Sequence, residues 1–150
     1  MKLYDLTNPQ KSIWLTEQFY KGSTINNLCG TVSISEAIDF TKLNEAINIL
    51  VRDNDALRIH LKQLEDGTIK QFFTEFSFKE YPLYDLSSSS DLKELESKLV
   101  AQKYQVLEGD LNNIVLFRFP DSTGGLIIGL SHLVGDACTA SLLASKVTTI

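Results

Sequence analysis

"NIVLFRFPDSTGGLIIGLS" fills residues 113–131 and holds two strand-length apolar runs, "NIVLFRF" and "GLIIGLS", around the turn-rich "PDSTGG". This pattern predicts a β-hairpin. Its second strand reads as buried and runs straight into "SHLVGDA" (131–137), so His132 stands where the apolar run stops and Asp136 follows four residues on. The chain has only two histidines. One of them at the end of a core strand serves either packing or chemistry.

Working outward from the hairpin, the remaining patterns alternate helix and strand. "TNPQKSIWLTEQFYKG" offers Thr7 and Asn8 as N-caps and Pro9 in the first turn, which predicts a short helix ended by Gly22. "LCGTVSIS" alternates as a strand, with Val32 and Ile34 on one face. In "DFTKLNEAINILVRDND", Leu43, Ala46, Ile47, Leu50 and Val51 repeat as the stripe of a helix lying on a core. Leu57, Ile59 and Leu61 then alternate ahead of an Asp66-Gly67 turn, a second hairpin signal. "SSSS" (87–90) reads as a short loop, followed by a helix with Leu92, Leu95 and Leu99 on one face and Asp91 with Glu94 as a capping box. Beyond the His-Asp stretch, Leu142, Leu143, Val147 and Ile150 predict a last helix, and with no stop signal at its end the fold is expected to continue past Ile150. The order implies an α+β fold, with helices packed on a mixed or largely antiparallel sheet.

Composition narrows the function. With 150 residues, 43% of them hydrophobic, the chain has the bulk for one domain with its own core. A formal charge of −5, with the basic residues scattered, argues against nucleic-acid binding. No apolar run approaches the roughly 20 residues of a membrane span, and "MKLYDLTNPQ" lacks a signal-peptide apolar core, so a cytosolic protein is expected. Cys29 and Cys138 lie too far apart for a zinc-binding pattern and are expected to be reduced. No glycine-rich phosphate cradle occurs.

The residues of the His-Asp stretch support chemistry without requiring it. A neutral imidazole accepts a proton from an attacking amine or hydroxyl. Asp136 either orients that ring or turns away to pair with a cation and brace the loop, and Gly135 permits a tight connection between them. HxxxD fixes only two positions and is more often structural than catalytic. Cys138 supplies a rival nucleophile, with His132 as its base.

Three ordered motifs and one further segment carry a family resemblance. "SHLVGDA" is similar to the HHxxxDG motif of nonribosomal peptide synthetase condensation domains and of related CoA-dependent acyltransferases with the chloramphenicol-acetyltransferase-like fold. "TNPQKSIW" (7–14) resembles that family's SxAQxRLW, keeping Gln10 and Trp14. "DNDALRIHL" (53–61) resembles its RHExLRTxF, keeping Leu57 and Arg58 with Asp55 in place of Glu. "YQVLEGDLNNIVLFRF" (104–119) resembles the segment leading into the family's central strand.

The resemblance implies that residues 1–150 form the N-terminal lobe of a condensation domain, whose C-terminal lobe supplies the other wall of an active-site tunnel. It implies amide-forming acyl transfer, in which a carrier-bound aminoacyl amine attacks an acyl thioester. His132 matches the catalytic histidine, and Asp136 matches the structural aspartate, for which Arg58 is the expected partner. Ser131 replaces the motif's first histidine, and Ala137 replaces its glycine while keeping a backbone N–H for a developing oxyanion. His60 falls at a variable position and is expected on the hairpin surface.

The implied partners are peptidyl or acyl carrier proteins, which bring phosphopantetheine thioesters, and an adenylation domain; acyl-CoA is a further donor. No cofactor or metal is expected to bind this chain directly. Met1 just ahead of the first motif fits a starter-type domain that N-acylates the first aminoacyl thioester. The replacements at 131 and 137 also fit a non-catalytic module that recruits carrier or tailoring proteins. A related CoA-dependent O-acyltransferase is the third reading.

Overall fold

The structure is a computed structural model that describes residues 2–20, 27–104 and 107–133. It opens with β1 (Tyr4–Asp5), α1 (Asn8–Phe19), β2 (Asn27–Ile34) and α2 (Phe40–Asp53). A 3₁₀ turn (Asp55–Arg58) leads into β3 (Ile59–Gln63), β4 (Ile69–Phe73) and β5 (Leu83–Asp85). Helix α3 (Ser89–Val100) and strands β6 (Asn112–Arg118) and β7 (Gly124–Ser131) complete the described elements. The α+β expectation holds, and the strands divide into two sheets. One is four-stranded and mixed, in the order β2-β7-β6-β5, and the other is three-stranded and antiparallel, in the order β1-β4-β3.

The 113–131 hairpin is the centre of the larger sheet, and its runs are apolar throughout because both faces are covered. Ile114, Leu116, Leu126, Ile128 and Leu130 pack with Leu43, Ile47 and Leu50 of α2 and with Ile59 and Leu61 of β3. The alternate residues Val115, Phe117 and Ile127 pack on the other side with Leu95 and Leu99 of α3. Gly125 lies between two strand backbones, where a Cβ would stand 1.8 Å from the Val32 carbonyl oxygen, so no side chain fits there.

Local signals explain most element ends. Thr7 caps α1 in a complete capping box: its hydroxyl accepts the Gln10 N–H while its own N–H donates to Gln10 Oε1. The helix stops at Phe19, short of the expected Gly22, because Tyr20 leaves helical geometry (φ −120°, ψ 51°); Gly22 itself lies outside the described residues. Asp39 caps α2. Helix α3 starts earlier than expected. Ser88 is its cap, and the Asp91 carboxylate reaches back to the Ser87 N–H, so the Asp91–Glu94 box does not form. Gly67 takes φ +86° in the β3–β4 turn, where the left-handed region favours glycine. The final helix expected over 138–150 lies outside the described residues.

Two features escape the apolar pattern. Asn44 and Asn48 are buried on α2, where they hold the extended chain that leads toward β5. Asn48 Oδ1 accepts the Lys79 N–H (2.9 Å) and its Nδ2 donates to the Lys79 carbonyl (2.9 Å), while Asn44 Oδ1 accepts the Tyr81 N–H (2.9 Å). The second is Tyr104. Its hydroxyl is buried without a hydrogen-bond partner among the described residues, at a place where a Cβ on Gly129 would come within 2.8 Å of it. Burial pushes this phenol up to about 12, and nearby Cys29 acts in the same direction.

Replacing Asn48 with Leu completes an apolar stripe on paper, yet it orphans the Lys79 N–H. Urea unfolding is expected to show a loss of about 1–3 kcal/mol. Tyr104→Phe removes an unpaired hydroxyl and is expected to stabilise the fold by about 1 kcal/mol near neutral pH. Because the folded state favours the neutral phenol, the parent loses stability as pH climbs from about 10 to about 12 and keeps it below that window. Urea midpoints measured across that range should fall less steeply in the variant.

Candidate functional site

The end of β7 is fixed by backbone before any side-chain chemistry enters. Ser131 is the last residue of the strand, paired with Asn27 of β2, and its N–H donates to the Leu111 carbonyl (2.9 Å). Its hydroxyl accepts the N–H of Leu133 (3.3 Å), so the chain turns back over His132 in a tight local bend. Ser131 and Leu133 are each only 2% exposed, whereas His132 between them is half-buried. Leu133 belongs to the core cluster shared with α2 and β7. Among the described residues, none hydrogen-bonds the His132 ring. The turn therefore anchors the two neighbours of the imidazole.

Gln10 reaches this turn from α1. It is 9% exposed, and its Nε2 donates both to the Leu133 carbonyl (3.0 Å) and to Gln71 Oε1 (2.9 Å). Gln71, on β4, donates in turn to the Asp5 carbonyl of β1 (2.9 Å). Two buried amides thus connect the smaller sheet, α1 and the strand end that carries the histidine. The first motif contains Gln10, but nothing in its local spacing signals a partner more than a hundred residues away.

Arg58 stands at the junction of the 3₁₀ turn and β3. Its guanidinium donates to the carbonyls of Val51 (3.2 Å), Arg52 (3.3 Å) and Thr74 (2.7 Å), and it pairs with Asp55. The α2 C-terminus is where a helix presents unpaired carbonyls and partial negative charge, so a buried cation is well placed there. These four bonds leave one of the five guanidinium hydrogens for a further acceptor. Asp136, its expected partner, lies outside the described residues, as do Gly135, Ala137 and Cys138. Next to Arg58, the Leu57 carbonyl accepts from Asn112 Nδ2 (2.7 Å), a bond that ties the turn to the start of β6 and that the sequence did not signal.

His60 departs from its expected surface position. Its side chain is only 14% exposed, stacked on Phe72 (ring centroids 5.5 Å apart), with Nε2 3.5 Å from the Asp110 carboxylate. The alternation that aims Ile59 and Leu61 inward does not leave His60 in solvent, because its cross-strand neighbour Phe72 covers one face of the ring. Cys29 of β2 is half-buried, and burial, reinforced by the Glu96 carboxylate, raises its thiol and disfavours a thiolate. Among the described residues, no three His, Cys, Asp or Glu side chains converge in a metal-binding group.

Comparison with known proteins gives consistent matches over this whole region. The family model of the condensation domain matches residues 1–150. Surfactin synthase subunit 1 of Bacillus subtilis (strain 168) is 27% identical over 150 residues, covering 96% of this chain and 4% of that protein. Tyrocidine synthase 3 of Brevibacillus parabrevis is 18% identical over 142 residues, covering 95% and 2%. Among solved structures, a variant of the starter condensation domain of rhizomide synthetase superposes with a TM-score of 0.86 at 22% identity, covering 98% of this chain and 36% of that one. The condensation domain from Monacolin K polyketide synthase gives 0.88 at 18% identity, covering 99% and 34%. The chain thus spans about a third of those solved chains and a few per cent of the two synthases.

Proposed function

The chain belongs to the condensation-domain family, and from that membership we propose that it is the histidine-bearing lobe of a domain that forms amide bonds in nonribosomal peptide synthesis. The observation that carries this reading is the half-buried imidazole of His132, which no described residue hydrogen-bonds, between two anchored, buried neighbours. The same fold in solved condensation domains supports the lobe assignment, with the remaining two thirds of such a domain supplying the facing wall.

In this mechanism the substrates arrive as thioesters on phosphopantetheine arms of carrier proteins, with acyl-CoA as an alternative donor, and an adenylation domain loads the amino acid. The amine of the acceptor attacks the thioester carbonyl, so a C–N bond forms as the C–S bond breaks. His132 orients the amine and takes its surplus proton, which then passes to the departing thiolate. The backbone N–H of Ala137 donates to the oxyanion of the tetrahedral intermediate. Arg58 is the partner we assign to Asp136, a pairing that braces the loop carrying the motif. Losing either partner of such a buried pair costs about 3–5 kcal/mol, even though the pair itself adds little net stability.

We place the reaction at the start of an assembly line, as N-acylation of the first aminoacyl thioester, in line with the starter condensation domain among the structural neighbours. Among the described residues, no helix is long and apolar enough to cross a membrane, and we assign the reaction to the cytoplasm, where carrier proteins and acyl-CoA meet.

The test is product formation by the polypeptide that carries both lobes, with carrier-bound amine and alcohol acceptors offered side by side. His132→Ala is expected to lower amide formation by about 10²–10⁴-fold without changing the unfolding midpoint. An unchanged rate would favour a recruiting role, and preferential ester formation would favour an O-acyltransferase. Residues 1–150 alone are expected to show no turnover, since one wall of the tunnel is missing.

A further inference from the structure

Resting on that reading of His132, we propose that Gln10 is a positioning residue for the catalytic turn: clamped by Gln71, its side-chain amide holds the Leu133 carbonyl and so fixes the direction in which His132 projects.

The neighbours of Gln10 determine which way its amide points. Thr7 presents an N–H and needs an acceptor, which is Oε1 (2.8 Å), while Leu133 presents a carbonyl and needs a donor, which is Nε2 (3.0 Å). The second Nε2 hydrogen goes to Gln71 Oε1, and Gln71 is held the same way round because its own Nε2 faces the Asp5 carbonyl. Every polar atom of the Gln10 side chain therefore has a partner, and the relay has a single self-consistent orientation.

Gln10 and Gln71, at 9% and 8% exposure, gain only a modest net amount from their hydrogen bonds, so stability alone does not require amides here. What they supply is direction. His132 is flanked by three backbone restraints: the Ser131 N–H on Leu111, the Leu133 N–H on Ser131 Oγ, and the Leu133 carbonyl on Gln10. The first ties the strand end to Leu111, just ahead of β6, and the second lies within the turn itself. The third comes from α1, and of the three it alone fixes the carbonyl of Leu133, the residue after the histidine. Catalysis is sensitive to displacement of this size, because a shift of about 1 Å in a reacting group costs about 10²-fold in rate.

The capping box allows a decisive substitution. Gln10→Glu keeps an acceptor for the Thr7 N–H, and Glu is a preferred residue at that helix position. It removes both Nε2 donors and faces the Leu133 carbonyl and Gln71 Oε1 with oxygen. Thr7→Ala does the converse, weakening the cap while leaving Gln10 with its donors.

The first measurement is the ring signal of His132 in residues 1–150 with labelled histidines, where His60, the other histidine of this stretch, serves as an internal reference. Gln10→Glu is expected to shift or split the His132 signal and leave that of His60 in place, and Thr7→Ala to move neither. In the two-lobed polypeptide, Gln10→Glu is expected to lower kcat by about 10- to 100-fold with KM little changed. Should Gln10→Glu fail to fold, Gln71→Leu removes the clamp from the opposite side, keeps the cap, and is expected to move the His132 signal in the same way. An unmoved His132 signal in Gln10→Glu, or equal perturbation by Thr7→Ala, would overturn the proposal. A moved signal in a polypeptide whose activity survives His132→Ala would keep the positioning role and remove the acyl-transfer reading instead.

Discussion

Burial of β7 on both faces is the constraint from which the rest of the structure follows. Its even positions lock against α2 and the smaller sheet, and Ile127 locks against α3. It pairs along its length with β2 on one side and β6 on the other. Sliding the strand by one residue would exchange the two faces and misplace both clusters at once. The point at which β7 ends is therefore set by the core, and a residue just past that point inherits a fixed place in the molecule. His132 owes its location to hydrophobic packing, and no described residue hydrogen-bonds its ring.

Polar side chains then connect the parts that this packing leaves separate. The two sheets share no strand, and beside the backbone bridge of Leu61 to Leu107, with its Glu108 N–H to Leu61 carbonyl bond, the links between them near the site include side chain to backbone bonds: Asn112 to the Leu57 carbonyl, and Gln10, itself tied to Gln71, to the Leu133 carbonyl. Arg58 does a related job where α2 ends and β4 departs, collecting carbonyls from both. Each of these groups is worth little as an isolated bond in a well-solvated setting. In a buried seam each one also removes an alternative arrangement, because leaving it unmade costs more than making it gains.

Much of this was legible in the sequence because it rests on periodicity or local chemistry. The α2 stripe, the hairpin with its Asp66-Gly67 turn, the Thr7 cap and the 113–131 hairpin all announce themselves within a few residues. What stayed hidden depends on partners distant in the chain. Strands β1 and β5 are only two and three residues long, too short to show alternation, and are defined by the strands they join. Asn44 and Asn48 leave no mark in the apolar stripe, because the pattern counts polarity, not bonding. His60 read as exposed for the same reason, since a ring lying across Phe72 leaves no mark in either residue's local sequence. For the site, the HxxxD spacing marked His132 and the family resemblance marked Arg58, while the work of Gln10 becomes visible only when residues 10, 71 and 133 stand side by side.

The two asparagines on α2 have one further consequence. They grip the chain at 79–81 by its peptide groups and not by its side chains, at Lys79 N–H and C=O and at Tyr81 N–H. Peptide groups are the same whatever residue carries them. Over evolutionary time the grip itself leaves position 79 free to drift in composition, with proline excluded for want of a hydrogen, while Tyr81 is also held by its ring against the core and the gripping positions 44 and 48 are strict. Mutational tolerance at this grip should thus run opposite to the usual habit, with the strict positions on the regular helix and the permissive one on the irregular crossover.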